Sequence, residues 1–157
     1  MEEKILKIEK LDHQGRGIGF LNDKIVFVPF CVPGDIVNIK VIKEKKKYIE
    51  AEVNKYIEKD NKHINQNCPF YKICGGCDLR HISYEEQLKF KENKVKEIMS
   101  KFVSKDIVVN KIIGSDLRDN YRNKVTFRVN EKLGLCKKNS NDVIRIDNCL
   151  LLDSKIN

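Results

Sequence analysis

Three cysteines within ten residues place the strongest constraint on how this chain folds. Cys68, Cys74 and Cys77 form a C-x5-C-x2-C pattern, and Gly75 and Gly76 are expected to let the backbone turn tightly and direct N–H groups at sulfur. The charged start MEEKILKIEK does not resemble a signal peptide, so we expect a metal site rather than disulfides. A fourth ligand is then needed, because four soft ligands complete either a [4Fe–4S] cluster or a tetrahedral zinc site.

The fourth ligand has several candidates elsewhere in the sequence. Cys149 is preferred because it lies just beyond the last predicted strand and is free to return to the loop. Cys136 is predicted to be a small core residue, and Cys31 is predicted to pack inside the N-terminal barrel. The histidines His63 and His81 complete the set. A single C-x2-C pair favours iron–sulfur, since structural zinc usually has two such pairs, and zinc is kept as the alternative metal.

Residues 1–58 are predicted to form a small β-domain. Apolar and polar residues alternate imperfectly over 4–11 and clearly over 37–41 and 49–53, and 25–30 is an apolar run, all typical of strands. The glycines of 15–19 are interpreted as a bend. Five short strands in so few residues predict a closed, OB-like barrel, because closure removes exposed sheet edges.

Residues 59–157 are predicted to be an α+β region, truncated at its end, which makes the whole chain mostly β with some α. The polar stretch 59–67 is interpreted as a linker, followed by the cysteine loop. Ser83 opens an S-x-x-E capping box, which predicts one long helix over 84–102. Its predicted apolar face contains positions 84, 88, 95, 98, 99 and 102, and the aliphatic stem of Lys91 completes the spacing. The strands predicted after it, the last three as an antiparallel meander, are 107–113, 120–129, 133–137 and 143–146.

The positive charge of the chain indicates a polyanionic partner. The formal net charge is +8, and nucleic acid is the commonest such partner. In the predicted strand 121–129, Arg122, Lys124 and Arg128 share one face, at a spacing that suits a phosphate backbone. The lysines at the predicted hairpin tip are weaker candidates for RNA contact: Lys45, Lys46 and Lys47. No apolar run is long enough to span a membrane, and with the charged N-terminus this predicts a cytoplasmic protein. We also expect the protein to be a monomer.

Three stretches together resemble the RumA/RlmD-type 23S ribosomal RNA (uracil-5-)-methyltransferases. Residues 15–41 and 45–53 resemble the family's TRAM domain, an OB-like RNA-binding barrel. Residues 68–95, beginning CPFYKICGGC, resemble the family's cluster loop and helix. Residues 121–129 and 133–151 resemble the start of its central domain. Arg80 replaces a common glutamine and Cys136 a common aromatic residue.

The resemblance implies a division of function. It implies a [4Fe–4S] cluster held by Cys68, Cys74, Cys77 and Cys149, and RNA, most of all ribosomal RNA, as the partner. In the family, a cysteine adds to C6 of uracil, SAM methylates C5, and a carboxylate removes the C5 proton. These groups and the SAM site belong to a further domain, so no residue of 1–157 is catalytic or binds SAM. We therefore expect this chain to be inactive alone, although its parent is an enzyme.

Two other functions compete with this hypothesis. A stand-alone zinc-bound RNA-binding module would have the same barrel and basic surface. A radical-SAM RNA-modifying enzyme fragment would also combine a TRAM-like barrel with a cluster. In those enzymes the barrel follows the catalytic domain and the loop is C-x3-C-x2-C, whereas here the barrel comes first and the first spacing is five.

Overall fold

Alternating apolar residues build the sheet of the first domain in the computed structural model, which describes residues 4–157. In the fifth strand, Val37 and Ile39 point into the core and Lys40 points to solvent, as the period of two requires. Six strands form one mixed sheet: β1 (Lys4–Lys7), β2 (Lys10–Leu11), β3 (Gly17–Leu21), β4 (Lys24–Val28), β5 (Ile36–Glu44) and β6 (Tyr48–Glu58).

The order of these strands is β1-β5-β6-β4-β3-β2, and the sheet is not closed into a barrel. The prediction of a closed five-stranded barrel was therefore wrong. The predicted first strand bends after Lys7: Ile8 N–H donates to the Asp35 carbonyl and Glu9 N–H to the Ile18 carbonyl, both at 2.8 Å. As a result β1 pairs with β5 and β2 pairs with β3, and these two pieces of one segment lie at opposite edges of the sheet.

The glycine-rich segment predicted to be a bend contains strand β3. Gly19 lies so close to β1 that an added Cβ would be 2.4 Å from the Lys7 carbonyl oxygen. An added Cβ at Gly17 would be 2.8 Å from the Cβ of Cys31. These glycines therefore allow two chain segments to pack closely, and only Gly15, with φ of 79°, needs the left-handed backbone of a turn.

The core of this domain lies inside the curved sheet. Cys31 is fully buried there, as the sequence predicted. Burial, together with the charge of Asp35, raises the pKa of its thiol to about 12, so the thiol stays neutral. The other core residues are aliphatic: Leu6, Ile8, Val26, Val28, Val37, Ile39, Ile49 and Ala51.

The predicted helix is confirmed at both ends. Helix α1 is Tyr84–Phe102, and the Ser83 hydroxyl accepts a hydrogen bond from Glu86 N–H at 3.3 Å. Its predicted apolar face is not buried in the described part of the chain, where Val95 is 48% and Phe102 is 74% exposed. The helix is therefore stabilised by its cap and by ion pairs such as Lys96–Glu92 at 2.5 Å rather than by burial.

The segment after the helix forms no strand at 107–113, so that prediction was wrong. Backbone N–H groups that a strand would pair are bound by helix side chains. Ile112 N–H donates to the Glu92 carboxylate at 3.0 Å, and Ser115 N–H donates to the Tyr84 hydroxyl at 2.7 Å. The segment consequently lies along α1 as irregular chain.

The predicted meander is present but much shorter. Three strands form it: β7 (Arg128–Val129), β8 (Leu133–Cys136) and β9 (Val143–Ile144). The predicted strand 120–129 was wrong for residues 120–127. Asn120 and Arg122 donate their N–H groups to Leu150 and Leu151 near the C-terminus, so only an isolated bridge forms there. No helix among residues 4–157 combines the length and apolarity needed to cross a bilayer.

Candidate cysteine site and nucleic-acid surface

The cysteine loop is shaped by short-range backbone hydrogen bonds. Cys74 N–H donates to the Phe70 carbonyl at 2.8 Å, and Tyr71 N–H donates to the Cys68 carbonyl at 3.1 Å. Gly76 N–H points at the Cys74 Sγ, 3.4 Å away, which stabilises a thiolate. Neither Gly75 nor Gly76 is among the residues with positive φ, so the loop does not need glycine for a left-handed turn.

A buried tyrosine–histidine pair fastens the loop to the sheet. The Tyr71 hydroxyl lies 2.9 Å from the Asp78 carbonyl oxygen and 2.6 Å from His81 Nδ1. His81 Nε2 lies 3.4 Å from the Cys31 carbonyl oxygen of the first domain. Burial lowers the pKa of His81 to about 4, so the ring is neutral at pH 7. His81 is therefore used as a packing and hydrogen-bonding residue.

The segment predicted as a linker is bound to a fully buried carboxylate. His63 Nε2 lies 2.8 Å from Asp35, which also accepts from the N–H groups of Asp60 at 2.9 Å and Val32 at 2.8 Å. Burial by itself would raise the pKa of Asp35, but these hydrogen bonds together lower it. The domain boundary at 58/59 stays a prediction, although these bonds tie residues 60–63 to the first domain.

Cys149 lies within electrostatic range of the loop cysteines. Burial raises the pKa of both Cys74 and Cys77, and negative charge on Cys149 and on Cys68 raises both further. Cys149 is held by Asn157, whose side-chain oxygen accepts from its N–H at 2.9 Å. All four cysteines that the sequence selected are partly buried, and their assignment to one shared site stays a prediction.

Four cysteines are a ligand set that either a [4Fe–4S] cluster or a zinc ion can use. In the described part of the chain, no group of three or more Cys, His, Asp and Glu side chains has the arrangement that one metal ion requires. A tetrahedral zinc site would bring four thiolates within about 4 Å of one another. A cubane cluster is larger and keeps its four thiolates farther apart. Four thiolates would serve as the ligands of such a cluster. The N–H···S bond and the neighbouring cations would stabilise the negative charge of these thiolates.

Two arginines near the loop were not selected as part of the cysteine site. The positive charge of Arg80 lowers the pKa of Cys77, and that of Arg122 lowers the pKa of both Cys74 and Cys77. Arg80 is held by two bonds to Asp119, at 2.7 and 2.9 Å. Both guanidinium groups therefore stabilise thiolates in this loop. Arg80 is noticeable in the sequence only as a departure from the family's glutamine.

The cations predicted to contact RNA are all exposed. Arg122, Lys124 and Arg128 do not lie on one strand face, because only Arg128 belongs to a strand. Their position on an irregular segment replaces the regular stripe that was predicted. The lysines of the β5–β6 turn project at the tip of a long hairpin, as predicted: Lys45, Lys46 and Lys47.

Comparison with known proteins finds similarity to RNA-modifying enzymes. Residues 2–53 match the TRAM domain family. An uncharacterized RNA methyltransferase of Aquifex aeolicus is 37% identical over 161 residues, covering 100% of this chain and 38% of that protein. The 23S rRNA (uracil(1939)-C(5))-methyltransferase RlmD of Vibrio parahaemolyticus is 31% identical, covering 97% of this chain and 36% of its own length. Over nearly its whole length the chain is therefore similar to RNA methyltransferases, among them the RlmD-type enzymes.

The solved structure of an RNA methyltransferase has a similar fold. The Pyrococcus abyssi tRNA (uracil-54, C5)-methyltransferase, solved with S-adenosyl-L-homocysteine, matches with a TM-score of 0.65 and 22% identity. The match covers 96% of this chain and 33% of that one. The chain spans little more than a third of the length of the curated relatives that it matches. The shared region contains both the TRAM domain and the cysteine loop.

Proposed function

We propose that this chain is the RNA-binding, iron–sulfur portion of a SAM-dependent RNA (uracil-5-)-methyltransferase that acts on 23S rRNA in the cytoplasm as a monomer. The supporting observation is that RNA methyltransferases match nearly the whole chain, at 30–37% identity over 92–100% of it. A domain that only shared the TRAM fold would match the first 53 residues alone. The basic surface and the TRAM domain supply the RNA contact.

Cys68, Cys74, Cys77 and Cys149 hold a [4Fe–4S] cluster in this proposal. When bound, the cluster acts as a structural cross-link between the loop and a residue 72 positions after Cys77. The protein side of the site is Arg80, Arg122 and the Gly76 N–H group, which stabilise thiolate charge. Arg122 also belongs to the predicted RNA-contacting set. In this proposal one RNA-contacting cation therefore lies beside the cluster.

The methyl-transfer step belongs to the part of the enzyme outside these residues. RNA bases react only after leaving their stack, so an enzyme of this class must grip the RNA on either side of the target. In this proposal residues 1–157 supply that grip, and SAM binds elsewhere. We expect the chain to bind a 23S rRNA segment around uracil 1939, the base named for the Vibrio relative. We expect no methyl incorporation from SAM, and methylation by this chain would overturn the division of labour.

The cluster assignment is tested by comparing two cysteine variants. Both Cys149 and Cys136 are partly buried free thiols in the second half of the chain. After anaerobic purification, Cys149→Ser should lose iron, sulfide and brown absorbance, whereas Cys136→Ser should keep them. Stoichiometric zinc without iron or sulfide in the unmodified protein would contradict the proposal and favour a zinc-bound module. Equal metal loss in both variants would contradict the ligand choice.

A further inference from the structure

A cleft between the cysteine loop, the start of α1 and residues 115–122 has a volume of about 740 Å³. Its size is in the range of small-ligand sites in proteins. Cys77 and Arg122 line it, so it borders the proposed cluster. The functions proposed above assign no ligand to this space.

Three side-chain amides in the cleft each use one group in a hydrogen bond and keep the other available for a ligand. Gln66 uses its oxygen to accept from Cys68 N–H at 2.7 Å, and Asn67 uses its oxygen to accept from Arg80 at 3.1 Å. Their NH2 groups are left as donors. Gln87 donates its NH2 to the Ile82 carbonyl at 2.9 Å, which leaves its oxygen as an acceptor. Two donors and one acceptor complement the Watson–Crick edge of a pyrimidine, which has two acceptors and one donor.

An aromatic ring is available beside these amides. Tyr121 lines the cleft and is 50% exposed. The other tyrosine of the cleft is already occupied, because the Arg118 guanidinium lies 4.5 Å from the centre of the Tyr84 ring. RNA-binding proteins commonly stack unpaired bases on exposed aromatic rings. Tyr121 therefore offers the stacking surface for a base whose edge meets the amides.

The charges of the cleft favour an anionic ligand. Asp119 is neutralised by the bidentate contact from Arg80, and Asp78 is paired with Lys138. Arg122 remains as a cation that enters no ion pair within residues 4–157. A neighbouring cavity of about 580 Å³ is lined by Glu50 and Glu52, and its charge makes it a poorer site for a phosphate.

We propose that this cleft binds one unstacked pyrimidine nucleotide of the substrate RNA, a nucleotide other than the one that is methylated. The base stacks on Tyr121, its edge bonds to the amides of Gln66, Asn67 and Gln87, and its phosphate lies near Arg122. The inference rests on the proposed RNA-binding function and adds a base-recognition site beside the cluster. Since methyl transfer is assigned elsewhere, this nucleotide flanks the target and fixes the register of the RNA.

The test combines protein variants with abasic RNA. The probe is the 23S rRNA segment around uracil 1939, prepared with one abasic position at a time. Tyr121→Ala should weaken binding by about 5- to 150-fold, the usual effect of removing a stacking ring, and Tyr121→Phe should bind like the unmodified protein. Phe102→Ala is the matched control, because Phe102 is an exposed ring at the end of α1, whereas the cleft borders the start of this helix, which is about 27 Å long. It should have no effect.

The decisive result is coupling between Tyr121 and one RNA position. Removing the base at one pyrimidine should weaken binding to the unmodified protein but not weaken it further in Tyr121→Ala, and a purine there should also bind less well. If the unmodified protein binds the RNA but Tyr121→Ala leaves the affinity unchanged, the cleft inference alone is overturned. The same holds if the loss of affinity in Tyr121→Ala is additive with the loss from every abasic position. If the unmodified protein does not bind the RNA, the proposed function is overturned as well.

Discussion

The salt dependence of RNA binding gives a quantitative test of the basic surface. Arg122, Lys124 and Arg128 are exposed, and none of them is in an ion pair within the described residues. Each is therefore available to replace a counterion on the RNA. For single-stranded nucleic acid, the slope of log K against log salt is about −0.7 per phosphate neutralised. Three contacts correspond to a slope of about −2.

Changing all three residues to glutamine should make the slope less steep by about 2 units. A slope of about −2 corresponds to roughly a 20-fold loss of RNA affinity when the salt concentration rises from 50 to 200 mM. The triple variant should not show this part of the loss. The assay is fluorescence anisotropy of a labelled 23S rRNA segment, titrated at several salt concentrations. The affinity at low salt should also fall, because most nonspecific RNA affinity is electrostatic.

A second triple variant controls for net charge. Lys24, Lys89 and Lys96 are each paired with a glutamate at 2.5 Å. Changing these three to glutamine lowers the formal net charge of +8 by the same three units. If the three proposed cations touch phosphate, the control slope should stay near that of the unmodified protein. Equal slopes for the two variants would refute the reasoning, because the effect would then come from overall charge.

Three further outcomes follow from the structure. Ser83→Ala should lower the free energy of unfolding in urea by about 1 kcal/mol through loss of the helix cap, while Ser100→Ala, in the last turn of the helix, should not lower it. The pKa of His81 is lowered from 6.5 to about 4, so its stabilising effect is present above pH 6.5 and is lost as the pH falls to about 4. Over that pH range the free energy of unfolding should fall by about 3 kcal/mol more in the unmodified protein than in His81→Gln. Equal decreases in the two proteins would contradict this. Removing iron should increase amide hydrogen exchange in 105–157 and leave 4–82 protected, and uniform deprotection would refute that expectation.

Local sequence patterns correctly predicted the elements whose structure is determined by residues close together in the sequence. Val37 and Ile39 are buried on the inner face of β5 with Val41 partly buried beside them, and the Ser83 box starts the helix at the predicted residue. Strand β3 was missed because Gly17 and Gly19 are there for close packing rather than for turning. A glycine pattern alone cannot distinguish these two uses.

The structure of the remaining segments depends on contacts between residues that are far apart in the sequence. The segment 107–113 has strand composition, but Glu92 binds its backbone, and no local pattern shows that competition. The buried Asp35–His63 pair joins residues 28 positions apart, so a polar stretch that suggests a linker is attached to the first domain. The cysteine loop was recognisable as a candidate metal site, which stays a prediction, because its spacing is itself the chemical signal. The charge of Arg80 beside those cysteines was not, because it depends on how Asp119 holds the guanidinium.

The distribution of buried side chains indicates which part of the protein the proposed cluster stabilises. Among residues 4–157, the only buried apolar side chains beyond residue 104 are Leu151 and Leu152, and the other thirteen lie at or before Ile82. The cysteine loop is already bound to the sheet through Tyr71 and His81, so it needs no metal to stay in place. Residues 105–157 have almost no core of their own, and a cross-link at Cys149 closes a long loop that burial does not hold. The stabilisation from the cluster therefore falls on the segment that includes Arg122, Lys124 and Arg128, and RNA affinity should depend on the cluster through the order of that segment.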